Sequence, residues 1–121
     1  MYRLSGEQRK TAWISDREHP VSIQLFGSDP DIMALGAREV EKAGADAVDI
    51  NMGCPMQKIV RNGEGSALMK NVSLAADIVS AMVKAVSIPV TVKMRIGWDE
   101  GSINCVELAQ AVEEAGAAAI T

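Results

Sequence analysis

The 121-residue chain has few aromatic residues, few cysteines, a single histidine and no excess of positive charge. Aromatic side chains make up 3% of the residues, so a core must be built from Ala, Val, Ile, Leu and Met. Two cysteines without a CxxC spacing exclude a disulfide framework, and one histidine without an HExxH motif argues against a metal centre. A net charge of −4 gives no electrostatic argument for nucleic acid, although a partner domain could supply the positive surface for such a substrate.

Long hydrophobic runs are also missing. No apolar run approaches the roughly 18 residues of a membrane-spanning helix. The polar N-terminal residues 1–10 contain no signal-peptide apolar region. These absences predict a cytoplasmic protein. The apolar content of 48% is that of a globular domain, and the length corresponds to about one domain.

Strand and helix patterns alternate over residues 19–121, behind a polar lead-in at residues 1–18 that we interpret as a loop or a frayed helix. The expected strands are residues 21–26, 45–51 and 90–95, with a fourth beginning at residue 117, and the expected helices are residues 30–43 and 72–86 and a third that follows Ser102 and runs to residue 115. The segment between the second strand and the second helix, residues 52–66, is expected to be a loop.

Side chains that cap helices mark the start of each expected helix. Asp29, Asn71 and Ser102 are residue types that accept hydrogen bonds from the first turn of a helix. Gly44 and Gly116 are placed to end two of the helices in the left-handed conformation. These boundaries divide the chain into successive strand–helix units.

An internal repeat gives the size of one unit. Residues 40–48 match residues 112–120, and residues 20–26 match residues 89–95, at an offset of about 70 residues that covers two units. One unit is therefore about 35 residues, and eight come to roughly 280, near the ~250 residues typical of a (β/α)₈ barrel. We therefore predict an α/β fold that is a partial TIM barrel of about three and a half strand–helix units. The alternative, a doubly wound sheet, usually has a Gly-rich loop after its first strand, which residues 27–30 match poorly.

Polar side chains share one face of the predicted sheet. Successive side chains of a strand point to opposite faces, and the aliphatic face should pack on the helices. The other face then carries Ser22, Gln24, Asp49, Asn51, Thr91, Lys93 and Arg95. Burying these groups without partners would cost several kcal/mol, which favours a polar ligand across the C-terminal mouth of the barrel. A competing interpretation is that Asp49 and Lys93 pair across the interior as structural ions.

A cysteine follows the second strand on a short loop, Gly53-Cys54-Pro55. The carboxyl ends of parallel strands are where α/β proteins place their chemistry. Lys93 and Arg95 could stabilise a thiolate or tune the thiol as a proton donor. No histidine base accompanies the cysteine, which disfavours a Cys–His hydrolase. Cys105, early in an apolar helix pattern, is expected to be inert.

Three strings together resemble the tRNA-dihydrouridine synthase family, and most of all its bacterial B-type members. They are residues 49–58 (DINMGCPMQK), the pattern Gly63-x-Gly65-x-x-Leu68, and residues 90–98 (VTVKMRIGW). The Asn-x-Gly-Cys-Pro-x-x-Lys string within the first is highly specific. The resemblance runs from about residue 10 to the last residue.

The resemblance implies a flavoenzyme in which NADPH reduces FMN and the flavin passes hydride to C6 of a uridine in tRNA. Cys54 matches the cysteine that donates a proton to C5. Asn51 and Arg95 match residues around the uracil and the flavin, and Gln24 and Lys93 match residues that contact the isoalloxazine ring. No metal is implied.

The resemblance also implies that the chain corresponds to the third to the start of the sixth barrel strands. On that reading, residues 19–121 are a fragment of the FMN-binding domain, without the N-terminal strands, the late barrel and the C-terminal helical domain. The isolated chain is then expected to bind FMN weakly or not at all and to be inactive. Two alternatives are an FMN barrel acting on free pyrimidines, like dihydroorotate dehydrogenase, and a non-catalytic truncated fragment. The position of Lys58 and the residue 93–98 string favour the tRNA enzymes over the first.

Overall fold

The computed structural model describes residues 13–121. The predicted polar lead-in lies mostly outside the described residues, and its last part contains a turn in which the Glu18 N–H donates to the Ser15 carbonyl at 2.9 Å. In chain order the elements are β1 Ser22–Leu25, α1 Pro30–Lys42, β2 Ala47–Met52, α2 Gln57–Val60, the 3₁₀ helix Gly65–Lys70, α3 Val72–Ala85, β3 Val90–Met94, α4 Cys105–Glu114 and β4 Ala119–Ile120.

The four strands form one parallel sheet in the order β1-β2-β3-β4. A doubly wound sheet reverses its strand order at a switch point, and the described strands follow the chain without such a reversal. Helices α1 and α3 pack on each other, as do α3 and α4, so neighbouring helices follow the same order as the strands. The predicted α/β fold on a parallel sheet is confirmed.

Local signals place the ends of α1 and α3. The Asp29 Oδ1 accepts hydrogen bonds from the Asp31 and Ile32 N–H groups at 2.9 and 3.1 Å, and α1 ends just before Gly44, whose φ is +93°. The Asn71 Oδ1 accepts from the Leu74 N–H at 3.1 Å. Both predicted caps are confirmed, because capping depends on groups only two or three residues apart.

The prediction that Ser102 caps a helix is wrong, since α4 begins at Cys105. The Ser102 hydroxyl instead donates to Asp99 Oδ1 at 2.7 Å inside a turn. An antiparallel bridge between Gly97 and Ile103 closes that turn and holds the chain extended beyond Ser102. The predicted loop at residues 52–66 also contains α2 and the start of the 3₁₀ helix, both too short to show an apolar period.

The core lies between the sheet and the helices, and within residues 13–121 its buried side chains are all aliphatic residues and methionines. From the sheet it receives Val48, Ile50, Val90 and Val92, each at most 2% exposed. The helices contribute Met33, Ala37 and Val40 from α1, Ala75, Ile78, Val79 and Met82 from α3, and Leu108 and Val112 from α4. The composition-based prediction of a core without aromatic rings is confirmed for the buried cluster.

Asp46 links the start of β2 to the start of β1, and its lowered pKa predicts that stability depends on pH. Its Oδ2 accepts a hydrogen bond from the Val21 N–H at 2.7 Å and lies 2.7 Å from His19 Nδ1. The backbone bond and then the histidine lower the pKa of Asp46 below its ordinary value of 3.8. A carboxyl with a lowered folded pKa stabilises the fold above its unfolded pKa, and that stabilisation is lost as pH falls through the folded pKa.

We therefore expect Asp46→Asn to be less stable than the wild type at pH 5 and to converge with it towards pH 2. Urea unfolding midpoints at several pH values measure this difference. Asp77→Asn, an exposed change on α3, is the control and should show no such convergence. A gap between wild type and Asp46→Asn that stays constant over this range would contradict the assignment.

Candidate functional site

The polar side chains lie on the sheet face opposite the core, as the alternation predicts. Along β2, Val48, Ile50 and Met52 are buried, whereas Asp49 and Asn51 are half-buried. Gln24 of β1 and Lys93 of β3 are exposed on the same face, with Thr91 half-buried. The face is therefore accessible and carries donors and acceptors from three adjacent strands.

Asp49 is the centre of a hydrogen-bonded network on this face. Its Oδ1 accepts from the Thr91 hydroxyl and its Oδ2 from Gln24 Nε2, each at 2.6 Å. The competing interpretation of an Asp49–Lys93 ion pair is wrong. Within residues 13–121 the ion pairs join His19 to Asp46 and Lys42 to Glu39. Strand register explains the difference, because Gln24 and Thr91 are the direct neighbours of Asp49, whereas Lys93 lies opposite Asn51.

Asn51 connects this network to the cysteine loop. Its Nδ2 donates to Gln24 Oε1 at 3.2 Å. Its Oδ1 accepts from the backbone N–H groups of Gly53 at 3.0 Å and Cys54 at 2.9 Å. The side chain thus closes a turn at the carboxyl end of β2, the local geometry for which asparagine is suited.

The loop is held from its other side by the 3₁₀ helix. The Cys54 carbonyl accepts a hydrogen bond from the Ser66 N–H at 2.9 Å. Gly65 has a φ of +60°, and an added Cβ there would lie 2.6 Å from the Cys54 carbonyl oxygen. The Cys54 side chain remains half-buried, and the following Pro55 is exposed. Cys54 therefore stands, partly exposed, on a loop that is hydrogen-bonded from both sides.

The two predicted cationic residues lie at the carboxyl end of β3. Lys93 is the register partner of Asn51, and both Lys93 and Arg95 are exposed. The side-chain stem of Arg95 passes beside the cysteine loop, because a Cβ added at Gly53 would lie 3.5 Å from Arg95 Cγ. The structure thus brings all five predicted site residues to one edge of the sheet.

The features of the site that the sequence did not predict are contacts between residues that lie far apart in the chain. Gly65 and Ser66 belong to a recognisable string, but nothing local indicates that they pack on Cys54. Trp98 packs against the core, with Lys70 Nζ 4.0 Å from its ring centroid in a cation–π contact. Beside it, residues 95–100 and Ile103 line a pocket of about 410 Å³ that opens next to Arg95.

Fold and site together define a parallel α/β protein with a cysteine loop and a polar strand face at the carboxyl edge of its sheet. Residues 2–121 match the family model described as dihydrouridine synthase (Dus). The chain belongs to the dihydrouridine synthase family.

Curated relatives carry corresponding names. The chain is 52% identical over 108 residues to a probable tRNA-dihydrouridine synthase 1 of Synechocystis sp., with 89% of this chain and 30% of the relative covered. It is 45% identical over 113 residues to a probable tRNA-dihydrouridine synthase of Rickettsia prowazekii, covering 93% and 35%. It is 47% identical over 100 residues to tRNA-dihydrouridine synthase B of Yersinia pestis, covering 83% and 31%. The chain thus spans about a third of the length of these relatives.

Among the helices of residues 13–121, none has both the length and the apolar character that crossing a membrane requires. The same residues contain no group of three His, Cys, Asp or Glu side chains arranged to hold a metal ion.

Proposed function

We propose that this chain contributes to the flavin-dependent reduction of uridine to 5,6-dihydrouridine in tRNA. The observation that carries the proposal is Cys54, half-exposed on a loop anchored from both sides, next to polar groups from three strands. Membership of the dihydrouridine synthase family and the names of the relatives support the same reaction. The reaction needs a hydride at C6 and a proton at C5 of the uracil ring.

Cys54 is the proposed proton donor. A thiol at the tip of a fixed loop can reach a base that has been extruded from folded RNA, which enzymes acting on bases require. Its loop is held through main-chain groups, so the side chain can give up its proton without loss of a structural bond. Asn51 and Arg95, which border the loop, are proposed to hold the uracil.

FMN, reduced by NADPH, would supply the hydride when bound. The donor set fits a flavin ring, whose carbonyl oxygens and ring nitrogens are acceptors. Gln24 Nε2 uses one hydrogen on Asp49 and has a second one available, and the exposed Lys93 ammonium offers further donors on the same face. We propose Gln24 and Lys93 as flavin-binding residues.

We further propose that the four strands are consecutive units of a (β/α)₈ barrel. Their sequential parallel order and the side-by-side packing of α1, α3 and α4 support this arrangement. In a barrel the polar strand face would line the interior near its C-terminal mouth. Residues 19–121 would then form about three and a half units of an FMN-binding domain.

Contact with tRNA would begin next to the cysteine. Lys58 and Arg61 are exposed on and just after α2, which starts three residues beyond Cys54. Their charges could meet the phosphate backbone of a tRNA whose uridine enters the site. Because the chain carries a net charge of −4, most of the positive surface that binds tRNA would have to come from other parts of the enzyme, with local clusters such as Lys58 and Arg61 adding to it.

The decisive experiment uses the protein expressed from its complete reading frame. We expect flavin absorbance on the purified protein, and NADPH-dependent formation of dihydrouridine in tRNA from a strain without the modification, read as a mass increase in nucleoside digests. The 121-residue chain alone should retain little FMN. Flavin-dependent turnover of free pyrimidines with no reaction on tRNA would instead support a dihydroorotate dehydrogenase-like activity and overturn the proposal.

A further inference from the structure

The Asp49 carboxylate fixes which way its neighbours point. It accepts from Gln24 Nε2 and from the Thr91 hydroxyl, both at 2.6 Å. An ionised carboxylate only accepts hydrogen bonds, so each partner must present a donor. The nitrogen of the Gln24 amide, and not its oxygen, therefore faces Asp49.

This orientation is passed on through two amides. With its nitrogen towards Asp49, Gln24 presents Oε1 to Asn51, which must answer with Nδ2, at 3.2 Å. Asn51 is then left with Oδ1 facing the loop, where it accepts from the N–H groups of Gly53 and Cys54. Each amide has one donor end and one acceptor end, so reversing the first would place donor against donor at the second.

We propose that Asp49 is a positioning residue for Cys54. It acts through Gln24 and Asn51: Asp49 fixes the orientation of these amides from one end, the N–H groups of Gly53 and Cys54 fix it from the other, and the two ends together hold the cysteine loop in the conformation seen here. The functional meaning of this role rests on the proposed reaction, in which Cys54 gives a proton to the uracil. The physical role is independent of that reaction: Asp49, Gln24 and Asn51 form a series of hydrogen bonds with a fixed direction, which ends at the cysteine loop.

Two substitutions at Asp49 separate orientation from charge. Asp49→Ala removes the acceptor, so the Gln24 amide is free to rotate and Asn51 loses its constraint. Asp49→Asn removes the charge but can keep its oxygen towards Gln24 and donate its nitrogen to the Thr91 hydroxyl, which is able to accept. The alanine variant should therefore release the loop, and the asparagine variant should preserve it.

Residue-resolved amide hydrogen exchange on the full chain tests this directly. In Asp49→Ala we expect exchange at Gly53 and Cys54 to accelerate about tenfold relative to Ile78 in the core, the size expected for the loss of one net hydrogen bond. In Asp49→Asn the ratio of loop to core exchange, that is, the exchange rate at Gly53 and Cys54 divided by that at Ile78, should change by less than about threefold. Alkylation of Cys54 relative to Cys105 should follow the same order.

Asp46→Ala is the matched control. Asp46 immediately precedes β2, at the end of the strand away from the cysteine loop, and its Oδ2 lies 2.7 Å from both His19 Nδ1 and the Val21 N–H nitrogen. It should lower global stability and leave the ratio of loop to core exchange unchanged. A change of the ratio equal to that of Asp49→Ala would show general loosening of the sheet and overturn the proposal.

Other outcomes are equally decisive. If the ratio of loop to core exchange is unchanged in Asp49→Ala, the proposal is overturned. It is also overturned if Asp49→Asn raises this ratio as much as Asp49→Ala does, because the charge of Asp49 and not its orienting role would then hold the loop. If Asp49→Ala does not fold, Gln24→Met interrupts the same chain of bonds one step later and must raise the ratio. None of these measurements needs flavin or tRNA, so failure of dihydrouridine formation would be recognised separately.

Discussion

On the proposed function, replacing Cys54 with alanine in the protein expressed from its complete reading frame is expected to lower the rate of dihydrouridine formation by a factor on the order of 10²–10⁴, the usual contribution of a positioned general acid. Hydride addition at C6 builds negative charge towards C5, and without the thiol no side chain on the loop supplies the proton. The substitution keeps the Cβ atom and both main-chain bonds of Cys54, to Asn51 and to Ser66. The loop itself should therefore be retained.

Two half-reactions locate the defect. Reduction of the flavin by NADPH should be unaffected in Cys54→Ala, whereas reoxidation of the reduced flavin by tRNA should slow by the full factor. Cys105→Ala is the control, because Cys105 is half-buried at the start of α4 and should leave both half-reactions unchanged. Normal reoxidation by tRNA in Cys54→Ala, or a parallel loss of flavin binding, would contradict the role of proton donor.

The second large effect is expected on stability, from Gly65→Ala. The φ of +60° costs an L-residue roughly 1–2 kcal/mol. The added Cβ would also lie 2.6 Å from the Cys54 carbonyl oxygen and 2.9 Å from Ile59 Cγ2, so the 3₁₀ helix and the cysteine loop must separate. This separation also weakens the hydrogen bond from the Ser66 N–H to the Cys54 carbonyl. From all these effects together we expect the free energy of unfolding to fall by about 3 kcal/mol.

Gly44→Ala provides the comparison for Gly65→Ala. Gly44 also has a positive φ, +93°, but an added Cβ there meets nothing within 4 Å. It should lose only the conformational part, roughly 1–2 kcal/mol, and leave Cys54 reactivity as it is. Urea unfolding and alkylation of Cys54 measure both effects. Equal losses from the two variants would show that the contact between Gly65 and the cysteine loop contributes nothing.

Local features of the fold could be predicted because their causes are local. Asp29 and Asn71 cap helices whose N–H groups are two or three residues away. Alternation along β2 follows from strand geometry, so the exposed and buried faces could be assigned from the order of residues alone. Ser102 failed as a cap because its hydroxyl binds Asp99, and the choice between these partners depends on the bridge that closes the turn.

The partners of Asp49 show where prediction from the sequence ended. Alternation places Asp49, Gln24, Thr91 and Lys93 on one face, and each of the last three could pair with a carboxylate. Which of them does so is decided by strand register, a property of neighbouring strands that the residue pattern of one strand leaves open. The contact of Gly65 with the cysteine loop depends in the same way on packing between segments.

The anchoring of the cysteine loop also bears on how such a site can diversify. The bonds made directly to the loop come from main-chain N–H and carbonyl groups and from the Asn51 side chain, whereas Pro55, Met56 and Gln57 are exposed and outside these bonds. Substitutions at these three exposed positions would change the contacts that the edge of the site makes with a bound molecule without displacing the thiol. If the proposed function holds, substitutions at these positions could change which RNA substrates the loop accepts while the chemistry at Cys54 stays the same.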